Sequence, residues 1–95
     1  MKITLAAVDP AMADAWEQYC GDVEGVSIHR GSILDLSCDA AVSPTDVFGF
    51  MSSGVSFSYT ARYGWKIQER LQALIKARHH GQLLIGMAEI VATDD

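Results

Sequence analysis

The stretch best suited to chemistry is residues 43–54, SPTDVFGFMSSG. It follows the apolar run 40–42 and leads into a helical pattern that begins near Ser53. When a strand, a loop and a helix follow one another in this way, the free amides of Ser53, Gly54 and Val55 point back over the end of the strand. Such amides and the helix dipole favour phosphate or pyrophosphate, and small side chains let the ligand approach the backbone. The sequence therefore predicts an anion site at this loop.

The apolar side chains of the same loop have two interpretations. Phe48, Phe50 and Met51 can form walls for a ribose or a base, as apolar side chains do in most small-molecule pockets. They can also plug the core as ordinary packing residues, and spacing alone favours this second interpretation.

Several segments resemble, in order and spacing, the N-terminal half of a macrodomain. They are Gly31-Ser32-Ile33, residues 39–46, residues 48–54 and Tyr63-Gly64-Trp65. Macrodomains bind ADP-ribose, and some members hydrolyse ADP-ribosyl bonds. The resemblance implies an α/β fold with a macrodomain-like mixed sheet flanked by helices, incomplete at its C-terminal side. It also implies binding of ADP-ribose or a related nucleotide-diphosphate-ribose ligand, with ADP-ribosyl hydrolase activity if the chain is an enzyme.

The resemblance and the free amides together define a set of expected ligand-binding residues. This set is Ser32, Ile33, Ser43, Thr45, Asp46, Phe50, Met51, Ser52, Ser53, Gly54 and Val55. Asp46 aligns with an asparagine that lies near the distal ribose in the family, and its carboxylate is the candidate catalytic general base. Ser32 stands where the family commonly has an aspartate that accepts a hydrogen bond from adenine. A hydroxyl can accept that bond without the strength that a charge adds.

The family continues for several strands and helices beyond the segment that matches residues 86–93. Without them, the sheet would keep unpaired edges, which favour association. The 95 residues are therefore expected to be a shortened product, or to be completed as a homo-oligomer or by a partner chain. An alternative function is a non-catalytic protein-interaction module that has lost nucleotide binding.

Strand and helix patterns alternate along the chain, which predicts an α/β sheet. The sheet and its helices are expected to form a single domain spanning residues 1–95 that carries the site. Strands are predicted at residues 3–8, 26–29, 39–42 and 83–91, and helices at 10–20, from the cap Ser53 to Tyr63, and from about residue 66 to the glycine at 81.

Composition excludes several other classes of protein. A net charge of −5 argues against binding to nucleic acid or to an anionic membrane. Cys20 and Cys38 fit neither a zinc site nor a CxxC motif, so free thiols and a cytoplasmic location are expected. His79 and His80 are adjacent on a helix and point apart, so no metal site is predicted. No cofactor is expected either, since phosphate-loop and dinucleotide motifs are lacking.

Overall fold

The chain divides into two units in the computed structural model, which describes residues 1–94. Unit 1 is Met1–Ala41 and unit 2 is Val42–Asp95. Residues 1–94 contain a parallel sheet and three α-helices, so the α/β class is confirmed. The macrodomain-like arrangement and the single domain over residues 1–95 stay predictions.

Unit 1 is a strand, helix and strand unit. The strand β1 (Ile3–Ala7) pairs in parallel with β2 (Val26–Arg30), with Ile3 opposite Val26 and Ala7 opposite Arg30. The helix α1 (Pro10–Cys20) connects the two strands, as a parallel pair requires. The Asp9 carboxylate accepts a hydrogen bond from the amide of Ala11 at 3.0 Å, and Pro10 is the first helical residue. Both features favour the start of a helix at this point.

Unit 2 contains a loop followed by two helices. The helix α2 (Gly54–Tyr63) ends at Gly64, which has φ +88° and whose amide donates to the carbonyl of Thr60. The helix α3 (Lys66–Arg78) follows directly. The boundaries predicted from Ser53 and Gly64 are therefore confirmed.

The core of unit 2 forms on one face of α3. Ile67, Leu71 and Ile75 are buried at successive four-residue steps, the spacing of one face of an amphipathic helix, and Ile75 is only 1% exposed. Tyr59 from α2 and Leu83 beyond α3 are also buried. This core is the support on which the loop of residues 43–53 rests.

Two predicted strands are wrong. Residues 39–42 form no ladder in the described chain, and Val42 is 85% exposed. Residues 83–91 form no strand either, because a turn interrupts them: the amide of Met87 donates to the carbonyl of Leu84 at 3.0 Å, and Gly86 has φ +89°. Apolar, β-prone residues alone do not make a strand, since the ladder needs a partner with free amides and carbonyls.

Candidate functional site

Asp46 organises the loop that was predicted to bind the ligand. Its Oδ1 accepts hydrogen bonds from the amides of Phe48 at 2.9 Å and Phe50 at 3.0 Å. Its carbonyl accepts from the amide of Gly49 at 3.2 Å. Three successive amides therefore converge on Asp46, in the manner of an Asx turn. The chain's own carboxylate satisfies the donors of this turn, so an anionic ligand needs donors elsewhere.

Gly49 allows the turn to lie against the core. Its φ of +78° belongs to the left-handed region that favours glycine. A Cβ at this position would lie 2.8 Å from Cδ1 of Ile75. The close approach therefore requires glycine for both conformation and space.

Two serines fasten the start of the loop to α2. The hydroxyls of Ser43 and Ser56 lie 3.0 Å apart, and Ser56 also donates to the carbonyl of Pro44. One turn further along α2, the hydroxyl of Tyr59 donates to the carbonyl of Val42 at 3.3 Å. These bonds fix residues 42–44 without any strand pairing.

Met51 lies in the core of unit 2 rather than at an open wall. Its amide donates to Oε1 of Gln68 at 2.7 Å, and its carbonyl accepts from the hydroxyl of Thr60 at 2.7 Å. The side chain is buried. The packing interpretation therefore describes Met51, whereas Phe48 and Phe50 remain about half exposed.

Replacement of Thr60 by valine is expected to destabilise the chain by about 1 to 2 kcal/mol, because the carbonyl of Met51 loses its partner in a buried setting. Thermal or urea unfolding measures the change. Thr60→Ser keeps the hydroxyl and serves as the control. If valine and serine have equal effects, the hydroxyl does not carry this stabilisation.

A cleft of about 210 Å³ opens between the loop and the start of α2. Its lining residues are Pro44, Thr45, Asp46, Phe50, Ser53 and Ser56. Thr45, Asp46, Phe50 and Ser53 were predicted, whereas Pro44 and Ser56 were missed as site residues. Ser56 was detectable, because it follows Ser53 by three positions and therefore shares its helix face.

The start of α2 supplies hydrogen-bond donors beside this cleft. Ser53 is the N-cap in an extended conformation, and its side chain makes no capping hydrogen bond. The first intrahelical bond of α2 runs from the amide of Phe57 to the carbonyl of Ser53. The amides of Gly54, Val55 and Ser56 therefore precede the hydrogen-bonded part of the helix.

Space is also available at Gly54, since a Cβ built there would meet nothing within 4 Å. Ser52, Gly54 and Val55 are exposed and adjoin the cleft residue Ser53 in sequence, although they do not line the cleft. The helix start therefore combines donors with room for a ligand.

Ser32 and Ile33 belong to unit 1. Ser32 caps a 3₁₀ turn (Ile33–Asp35): its hydroxyl accepts from the amide of Leu34 at 3.1 Å, and its amide donates to Oδ2 of Asp35 at 3.1 Å. This capping box gives Ser32 a local structural role.

Among the described residues that line the cleft, Asp46 carries the one charged side chain. No lysine or arginine lines it. An anion in this cleft would be held by backbone amides and by hydroxyls, with the carboxylate of Asp46 opposing it.

Two further properties of residues 1–94 bear on the site. No group of three histidine, cysteine or acidic side chains in this range is arranged to hold a metal ion. None of the helices described has the length and apolar character needed to cross a membrane.

Comparison of the chain with known protein families, curated proteins and solved structures finds no match. The macrodomain resemblance therefore rests on the residues of the sequence alone.

Proposed function

We propose that unit 2 binds ADP-ribose, or a related nucleotide-diphosphate-ribose ligand, at the cleft beside the start of α2. The observation that carries this proposal is the uncapped helix start, where the amides of Gly54, Val55 and Ser56 adjoin the cleft residue Ser53. Amides in this position, with the helix dipole, suit a phosphate group.

The size of the cleft limits how the ligand is held. Pockets for whole drug-sized ligands have volumes of about 300 to 1,000 Å³. The cleft, at about 210 Å³, is smaller. It therefore takes one phosphate and the adjoining ribose, while the half-exposed ring of Phe50 borders the part of the ligand that stays outside.

The proposal is one of binding, and hydrolysis of an ADP-ribosyl bond remains the prediction of the resemblance. Asp46 is the candidate general base, and it lines the cleft. Its Oδ1 holds two loop amides, which fixes the carboxylate in place. If Asp46 is catalytic, the same carboxylate also maintains the shape of the loop.

Gly54→Glu is expected to weaken the binding of ADP-ribose at least about tenfold, because it places a negative charge beside the phosphate donors. Isothermal titration calorimetry measures the affinity. Gly54→Gln is the matched control, since it introduces a side chain of equal size and the same backbone strain at φ +63° without the charge.

The control variant is expected to keep most of the affinity. If glutamine and glutamate weaken binding equally, then the negative charge at the helix start is not the cause of the lost affinity. If the unaltered chain does not bind ADP-ribose, then the proposal is wrong.

A second candidate function is a protein-interaction module without nucleotide binding. It is favoured by the large apolar side chains that unit 2 exposes. Phe57 and Trp65 are both about half exposed, with ring centroids 6.4 Å apart, and Ile85 is fully exposed. Exposed apolar clusters of this kind are typical of interaction surfaces. Under this alternative, Gly54→Glu leaves partner binding unchanged.

A further inference from the structure

The last part of unit 2 is attached to α3 by polar contacts at two separate points. After α3, the chain passes through the turn at Leu84 to Met87 and continues to Asp94 without regular secondary structure. We call residues 87–94 the strap. The chain is fixed just before this turn, since Leu83 is buried and its amide donates to the carbonyl of Val47 at 2.7 Å.

One anchor of the strap is at Glu89, near the C-terminal end of α3. Its Oε1 accepts a hydrogen bond from Nε2 of His79 at 2.8 Å, and its Oε2 lies 3.4 Å from Nη1 of Arg78. Both the Glu89 and His79 side chains are largely buried. The hydrogen bond from His79, with the charge of Arg78, holds the pKa of Glu89 below its usual value.

The other anchor is at the end of the strap, on the first half of α3. Arg70 donates from Nη1 to the carbonyl of Ala92 and from Nη2 to Oδ2 of Asp94, both at 2.6 Å. Lys66 lies 3.9 Å from the same carboxylate oxygen. The hydrogen bond from Arg70 keeps the pKa of Asp94 below its usual value. The strap is thus held at both ends by polar contacts.

Between the anchors the strap packs loosely. A groove of about 470 Å³ separates its apolar residues from α3. The groove is lined by Arg70, Ala73, Leu74, Ala77, Ile90, Val91 and Ala92. Ile90 is nevertheless 92% exposed. Ile90 therefore contributes little apolar burial, and the anchors at Glu89 and Asp94 are the specific contacts that hold the strap on α3.

We propose that unit 2 forms a homodimer in which two copies of the chain exchange their straps, each strap binding α3 of the other copy. Exchange conserves every contact of the strap, since both anchors are made again by identical residues of the partner. Opening the turn costs one backbone hydrogen bond, between Met87 and Leu84, and releases Gly86 from its positive φ.

The dimer also gains contacts that the single chain lacks. In the exchanged form, residues 83–87 of the two copies cross each other about the two-fold axis. This segment reads LLIGM, and Ile85 at the tip of the turn is fully exposed in the single chain. Contact between the two segments buries this side chain. The second copy is therefore the partner that best fits this region.

Charge reversal at the second anchor tests the exchange. Arg70→Glu and Asp94→Arg each place like charges at the anchor, in the single chain and in any dimer of one variant. When the two variants are mixed, the exchanged heterodimer has one Arg70–Asp94 pair and one reversed pair, so both of its anchors are complementary. The single chains in the same mixture stay mismatched.

Sedimentation velocity and native mass spectrometry distinguish the outcomes. We expect the unaltered chain to dimerise with rising concentration. Each variant alone is expected to dimerise to a similar degree, because the mismatched anchor weakens the closed chain and the exchanged dimer alike. The mixture is expected to dimerise at least tenfold more strongly than either variant alone, as dimers of one copy of each variant. Lys76→Glu, on the exposed side of α3, is the control and leaves dimerisation unchanged. Circular dichroism verifies that each variant keeps its helices.

Three results would overturn the proposal. The first is that the unaltered chain remains monomeric at every concentration, a result that can be obtained without any variant. The second is that the mixture pairs the two variants at random, which places the dimer contact elsewhere. The third is that the mixture dimerises no more strongly than either variant alone, although both variants keep their helices. None of these measurements depends on ligand binding at the cleft.

Discussion

Gly49→Ala is expected to lower the free energy of unfolding by about 2 to 4 kcal/mol. About 1 kcal/mol or more comes from forcing a residue with a Cβ to keep φ at +78°. The remainder comes from overpacking, since the new Cβ would lie 2.8 Å from Cδ1 of Ile75, which is held in the core. Urea unfolding followed by circular dichroism measures the loss.

Gly81→Ala separates the two causes. Gly81 has φ +94°, but a Cβ there would meet nothing within 4 Å, so only the conformational cost of about 1 kcal/mol is expected. Ile75→Val supplies a second comparison because valine lacks the Cδ1 atom that the new methyl would strike. In the Gly49→Ala background it is expected to cost less than it does alone. Additive effects of the two changes would show that the clash does not occur.

Asp46→Ala is expected to destabilise the loop by about 2 to 3 kcal/mol and to abolish ADP-ribose binding at the cleft. The substitution removes the acceptor of two amide hydrogen bonds, and bonds to a charged acceptor contribute about 1.5 to 3 kcal/mol each before allowance for the exposure of this turn. Without them the loop loses the shape that places Thr45 and Phe50 beside Ser53. Unfolding and calorimetric titration with ADP-ribose measure both effects.

Asp46→Asn distinguishes a positioning role from a catalytic one. Asparagine keeps an acceptor oxygen for the two amides, so stability should stay close to that of the unaltered chain. Binding should be kept or strengthened, because the charge that opposes the anionic ligand is removed. If the chain hydrolyses an ADP-ribosyl bond with Asp46 as base, the same variant binds ligand but loses turnover. Loss of binding in Asp46→Asn would mean that the charge itself contacts the ligand.

Elements with local signals could be predicted from the sequence. Asp9 and Pro10 mark the start of α1, and Gly64 marks the end of α2, because caps and helical periodicity depend on residues within a few positions. The strands at 39–42 and 83–91 were predicted by the same local reasoning and do not form. A strand depends on a partner distant in sequence, and at Ile85 and Gly86 the chain turns instead.

The candidate site was predictable in its position but not in its internal bonding. The sequence placed Asp46, Phe50 and Ser53 at one loop, and these residues do line one cleft. It did not show that Asp46 binds the amides of its own turn, although an aspartate three residues before Gly49 is a turn signal. The burial of Met51 depends on Gln68 and Thr60, which no local pattern connects to it.

The parallel pairing of β1 with β2 has a consequence for the order of folding. Thr4 and Ser27 lie on neighbouring strands and are 23 positions apart in sequence. A helix such as α1 forms within about a microsecond, whereas parallel strands meet only after the long segment between them has closed. We therefore expect the ladder of unit 1, rather than its helix, to set the rate at which this part of the chain reaches its native state.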